Sequence, residues 1–150
     1  MRILARLTSL TIALASLASV PALAADPGMK EAVLYKNPNC GCCEGYANYL
    51  RQNGYTVAVK PSHDLTLINR QYGVPDQLEG CHTTLIDGYV IEGHVPIEFV
   101  SRLLSERPAI RGISIPGMPV GLPGMEGDKE GPITVYEFSD GQPAVYGTVE

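Results

Sequence analysis

Apolar residues along this chain come in short runs, and the period of the runs changes from one segment to the next. Ala32-Val33-Leu34-Tyr35 is a continuous apolar run of the kind a buried strand needs. Cys43, Ala47 and Leu50, with Tyr46 beside them, recur at helical spacing, and Asn37-Pro38-Asn39 ahead of them supplies helix-start residues. Asn53-Gly54 ends that helix, glycine being suited to the left-handed position after a C-cap. Thr56 to Val59 reads as a second strand. Asp64 can cap another helix with Leu65, Ile68 and Tyr72 on one face, closed by Gly73 and the following Val74-Pro75. Thr83 to Ile86 and Tyr89 to Ile91 flank Asp87-Gly88, a two-residue hairpin signal. Pro96 opens a helix through Ile97, Val100, Leu103 and Leu104, and Ile133 to Phe138 with Ala144 to Tyr146 reads as a terminal hairpin.

The predicted order is β-α-β-α-β-β-α, a long loop, then β-β. That is an α/β, thioredoxin-like plan, a mixed sheet flanked by helices with a C-terminal hairpin added. The stretch 107–131 is rich in glycine and proline and is expected to be irregular; a loop of that length is usually functional or disordered. Within it, Pro116-Gly117-Met118 is echoed by Pro123-Gly124-Met125.

The first residues stand apart. Arg2 and Arg6 precede an apolar stretch from Leu7 to Val20, Pro21 breaks it, and Ala22-Leu23-Ala24 is a small-x-small cleavage site. This is the pattern of a secretory signal peptide, and the run is short for a membrane span. The expected organisation is a signal peptide over 1–24, a flexible lead-in over 25–31 and a thioredoxin-like metal-binding domain over 32–150, located in the periplasm. The net charge of −5 becomes more acidic once Arg2 and Arg6 are lost. An acidic domain without a basic run makes a poor partner for nucleic acid or anionic lipid, and no other segment is apolar enough to span a membrane.

The chain has 4 cysteines, Cys40, Cys42, Cys43 and Cys81. Export makes structural disulfides the default for them, yet three crowd into four residues, whereas staples join distant segments. Cys40 and Cys43 have Cys-x-x-Cys spacing between a strand and a helix, where the helix N-terminus favours a reactive thiolate; they are the candidate catalytic pair. Thiol exchange requires neither Cys42 nor Cys81. Four thiolates better suit a soft metal, and the loop before the third strand of the thioredoxin plan faces the Cys-x-x-Cys turn, bringing Cys81 within reach. Zinc is the alternative, since four-thiolate zinc sites are common, although usually built from two separate knuckles. Thiolates and thioethers suit Cu(I), and neighbouring sulfurs can bridge adjacent ions. Met118 and Met125 are candidate thioether ligands against the ordinary role of filling gaps in a core. His94, just before a helix start, is a candidate imidazole ligand. His82 divides evenly between ligand and hydrogen-bonded turn residue, and His63, beside a helix cap, reads as structural.

Taken together, Tyr35-Lys36-Asn37-Pro38-Asn39-Cys40-Gly41-Cys42-Cys43, Gly73-Val74-Pro75, Cys81-His82-Thr83, the run from Gly88 to Pro96 and Pro116-Gly117-Met118-Pro119 resemble a known bacterial family. That family was long described only as a domain of unknown function, and its best-understood members are CopG-like periplasmic copper-resistance proteins. The resemblance runs from about Val33 to Tyr146. It implies a thioredoxin-like fold whose cysteines bind copper, here Cys40, Cys42, Cys43 and Cys81, and a role in interconverting Cu(I) and Cu(II). Tyr46 departs from the pattern, which has Trp there in many relatives. The implied partners are copper ions and other periplasmic copper-handling or redox proteins. The competing readings are a thiol–disulfide oxidoreductase and a zinc-stabilised structural module.

Overall fold

The computed structural model describes residues 30–150. The expected signal peptide, and most of the expected lead-in, lie outside the described residues. Lys30 and Glu31, assigned to the lead-in from sequence, already belong to the first strand, because they pair with Tyr55 and Thr56.

The strands are β1 (Lys30–Lys36), β2 (Tyr55–Pro61), β3 (His82–Ile86), β4 (Tyr89–Glu92), β5 (Gly112–Ser114), β6 (Ile133–Phe138) and β7 (Ala144–Val149). The helices are α1 (Gly41–Gln52), α2 (Leu65–Tyr72) and α3 (Ile97–Glu106), with a 3-10 turn at Asp76–Leu78. All strands join one mixed sheet in the order β2-β1-β3-β4-β5-β6-β7. β1/β2 and β4/β5 pair in parallel; the other neighbours are antiparallel. The β3–β4 turn has positive φ at both Asp87 and Gly88, the twist a tight hairpin requires.

Alternation along the strands gives the sheet two apolar faces. On one, Ala32, Leu34, Ile86, Ile91 and Ile113 pack against Tyr46, Ala47 and Leu50 of α1 and Val100 and Leu103 of α3. On the other, Val90 and Phe138 pack with Val74 and Leu78 near α2 and the 3-10 turn. β4 is therefore buried at all four positions, polar Glu92 included. Among the described residues, no helix is long and apolar enough to cross a membrane.

Two local expectations need correction. The stretch 107–131 is not wholly irregular: Gly112–Ser114 forms β5, continuing the sheet beside β4. The α1 cap is neither asparagine. Cys40 is the N-cap, its Sγ accepting the Cys43 N–H, while Asn37 Oδ1 accepts from Asn39 N (3.0 Å) to shape the preceding turn.

Candidate metal centre

The site lies where β1 ends and α1 begins. Lys36, the last residue of β1, is buried and donates from Nζ to the carbonyls of Asn37 and Pro38, each at 3.2 Å. With the Cys40 N–H donating to Asn37 O (3.0 Å), this fixes the turn that delivers Cys40 to the helix N-terminus. Cys40 and Cys43, one turn apart, are joined as a disulfide, and Cys42 and Cys81 are free. Cys40 Sγ and Cys42 Sγ are 3.5 Å apart.

Cys81 arrives on the loop that leads into β3, the neighbour of β1. Its loop is clamped by the Gly80 N–H donating to Glu92 Oε1 (2.7 Å) and by the Gly117 N–H donating to Glu79 O (3.0 Å). Glycine is required at position 80, where a Cβ would come within 2.9 Å of Gly93 Cα. The clamp sets the Cys81 backbone against the helix, its carbonyl oxygen 3.3 Å from Cys43 Sγ. The result brings one sulfur from each of Cys40, Cys42, Cys43 and Cys81 within 4.8 Å of one another.

Cys81 also faces two buried imidazoles, His94 Nε2 at 3.0 Å and His82 Nδ1 at 3.3 Å. The other nitrogen of His94, Nδ1, lies 2.7 Å from the Pro123 carbonyl, which can only accept. His94 therefore carries its proton on Nδ1 and presents a bare Nε2 to Cys81, the orientation metal-binding imidazoles take. The Tyr46 ring packs on both imidazoles, 4.6 Å from His82 and 5.5 Å from His94 between centroids, and its hydroxyl donates to Val95 O (2.8 Å). Burial pushes both histidines below the usual range, keeping them neutral and able to ligate. Burial, reinforced by nearby Cys42, pushes the Cys81 thiol up to about 12. A bound cation reverses that preference, since coordination takes the thiolate.

Similarity to known proteins bears on what this cluster is for. The family model described as a protein of unknown function, DUF411, matches residues 78–125. A solved structure described as copper resistance protein CopG, form 2, is 35% identical over 81% of this chain and 99% of its own, with a TM-score of 0.75. Form 1 of that protein is 36% identical over 79% of this chain and 96% of its own, with a TM-score of 0.73. The chain belongs to the CopG copper-resistance family. No curated protein matches it.

Within this CopG-family chain the two loop methionines occupy different surroundings. Met125 lines a cleft of about 610 Å³ together with Gly41, Cys42, Gly45, Val120, Gly124 and Glu126. Met118 is 60% exposed and borders a separate groove with Pro116, Pro119, Pro132 and Tyr136. The structure thus brings Met125 to the cysteine cleft and leaves Met118 outside it. His63, read as structural, is exposed beside the α2 cap.

Two neighbours of the site escaped the sequence reading, buried Lys36 and Glu92, while His82, left even between ligand and turn residue, lies against Cys81. The Glu92 carboxyl is raised to about 8 by burial, against the lowering effect of its hydrogen bonds with the Gly80 N–H and the Thr83 side chain. The available signal was adjacency alone, His82 next to Cys81 and Glu92 two residues before His94.

Proposed function

We propose that this chain is a periplasmic copper-binding protein in which Cys40, Cys42, Cys43 and Cys81 hold copper as thiolates, with His94 and Met125 as further donors. The carrying observation is the convergence of four sulfurs within 4.8 Å, one of them delivered from 38 residues beyond the last of the other three. Thiolate, thioether and imidazole together form a soft to borderline donor set, the set that suits Cu(I) and tolerates Cu(II). Copper is the cargo here. The copper-resistance role of the family supports the same reading.

The disulfide supplies the redox half. Four thiolates are available only when Cys40–Cys43 is open. Closing it from two thiolates gives up two electrons, which reduce two Cu(II) to two Cu(I); opening it takes two electrons back from two Cu(I) or from a thiol redox partner. The helix N-terminus stabilises the open thiolates, and the Cys40 cap holds them in place. We read β1 to β4 with α1 and α3 as a thioredoxin-like unit; the support is the order β2-β1-β3-β4, with β1 and β2 parallel and β3 and β4 alternating. Export by the leader over 1–24 would set this chemistry in the periplasm, and the intact mass of the exported protein, starting at Ala25, tests it.

The deciding experiment is anaerobic Cu(I) competition of the reduced chain against a chromophoric chelator, followed by a thiol count and electron paramagnetic resonance after mild oxidation. Tight Cu(I) uptake, then a paramagnetic signal or loss of two thiols, is expected. A single Zn²⁺ that Cu(I) cannot displace, with an unchanged thiol count, refutes it and selects the zinc module. The Cys40–Cys43 disulfide specifically favours one second reading, a thiol–disulfide oxidoreductase. Insulin reduction by the metal-free chain, unaffected by Cys42→Ser and Cys81→Ser, would select that reading.

A further inference from the structure

One buried charge beside the cysteine turn has no counter-charge. Alternation along β1 places Lys36 on the face of Ala32 and Leu34, the side on which α1 packs, and it is only 6% exposed. Its ammonium has three N–H groups, and two of them donate to the carbonyls of Asn37 and Pro38, each at 3.2 Å. Carbonyls solvate a cation without neutralising it. Among the described residues no carboxylate pairs with Lys36, and its third N–H has no partner. The single acid in the first turn of α1, Glu44, is exposed and bound to Arg51 at 3.4 Å. We propose that Lys36 is a positioning residue that sets the reduction potential of the Cys40–Cys43 pair: its buried ammonium is the charge partner of the sulfurs once they are open, and so makes the disulfide easier to reduce. This rests on the redox half of the proposed function.

A buried charge is costly unless it is paired, and the cost falls when an anion forms in the same low-dielectric surroundings. Opening the disulfide supplies that anion. The sulfur–sulfur bond breaks, two electrons enter from an external dithiol that closes its own disulfide and gives its protons to solvent, and negative charge is left on Cys40 and Cys43. One short turn couples the two groups. Lys36 holds the carbonyls of Asn37 and Pro38, and the Asn37 carbonyl also accepts the Cys40 N–H at 3.0 Å. The Cys40 sulfur then caps α1, whose N-terminus adds partial positive charge of its own. The closed form thus concentrates positive charge at this turn, and reduction relieves it. A couple whose reduced form is stabilised is the stronger oxidant. A lysine kept only for the geometry of the turn gives a different expectation: glutamine, an uncharged donor to a carbonyl, would serve nearly as well.

The test uses the full exported chain, freed of metal with a chelator and equilibrated in buffers of reduced and oxidised dithiothreitol, with open thiols counted by alkylation and intact mass. Lys36→Gln is expected to shift the equilibrium towards the disulfide by about tenfold, which is about 30 mV for a two-electron couple. Lys36→Arg, which keeps the charge, should stay within about twofold of the parent. An unchanged equilibrium in folded Lys36→Gln, or an equal shift in Lys36→Arg, overturns the proposal. The unaltered chain gives an independent reading by magnetic resonance with isotope-labelled lysine. The Lys36 ammonium signal should move when the disulfide opens; a signal at the same place in both forms overturns the proposal even where the variants fail to fold. A parent disulfide that dithiothreitol cannot open sinks the redox half of the proposed function together with this inference, whereas a parent that opens with Lys36→Gln unmoved sinks this inference alone.

Discussion

Gly45→Ala sets two well-calibrated effects against each other. Gly45 is inside α1, where alanine is favoured over glycine by about 0.8–1.0 kcal/mol. The loop that follows β5, however, lies backbone-on-backbone against it. A Cβ at Gly45 would sit 2.9 Å from Gly124 O and 3.0 Å from Gly124 Cα, and neither atom belongs to a side chain that could swing away. The approach is close from both sides: a Cβ built on Gly124 would in turn come within 2.5 Å of Tyr46 N and 2.9 Å of the Cys42 carbonyl oxygen. Overpacking of this kind costs about 1–3 kcal/mol, so the net expectation is destabilisation by about 1 kcal/mol. If the loop lifts instead, it loses the His94–Pro123 hydrogen bond, about 0.5–1.5 kcal/mol, and the burial of Leu122. Gly41→Ala is the control: it begins the same helix with nothing within 4 Å of its Cβ, so it should be neutral or slightly stabilising. Urea unfolding with the disulfide intact, together with amide exchange over 118–126, reads both. Gly45→Ala should lower the midpoint and speed exchange in the loop; a midpoint raised as much as helix propensity alone allows, with exchange unchanged, would refute the packing argument.

Cys81→Ala should weaken Cu(I) binding by about tenfold to a hundredfold in a chelator competition, although position 81 lies far from the other cysteines in sequence. Met125→Leu should speed Cu(I) loss to a chelator while Met118→Leu leaves it unchanged, since only Met125 shares the Cys42 cleft. Glu92 makes stability depend on pH with the opposite sign to an ion-paired carboxylate. Its folded pKa of about 8 is above the unfolded value, so its contribution is fully present below the ordinary carboxylate range and is lost as pH rises towards about 8. Denaturant midpoints between pH 5 and 8 should therefore fall less steeply in Glu92→Gln than in the parent, which a parallel pH series checks.

The elements with strong local signals were legible, and the reasons differ from case to case. Asp64 caps α2 because its carboxylate reaches the Leu67 N–H at 2.9 Å, a bond written into the spacing. The meeting of Cys81 with the Cys40–Cys43 turn followed from chain order, since β3 lies beside β1. β5 was hidden because three residues are too few to show alternation, and its pairing with β4 is reached only through α3. The two Pro-Gly-Met stretches look equivalent in sequence. They part company because Gly117 is tied to the Glu79 carbonyl while Gly124 is wedged on α1. Glu92 lies just past the Tyr89 to Ile91 run, and only a sheet covered on both faces makes it a buried acid.

The Cys40 sulfur is both a helix cap and one end of a disulfide. In the closed form it already accepts the Cys43 amide at 3.3 Å. As a thiolate it would accept the same N–H more strongly, since charge-assisted hydrogen bonds are shorter and stronger. The cap is thus arranged for either sulfur state beforehand, and opening the disulfide would require no helix turn to melt or form. On the proposed redox reading, reorganisation would be confined to one sulfur–sulfur bond and its solvent, and the Cys42 cleft would be where a donor or acceptor approaches.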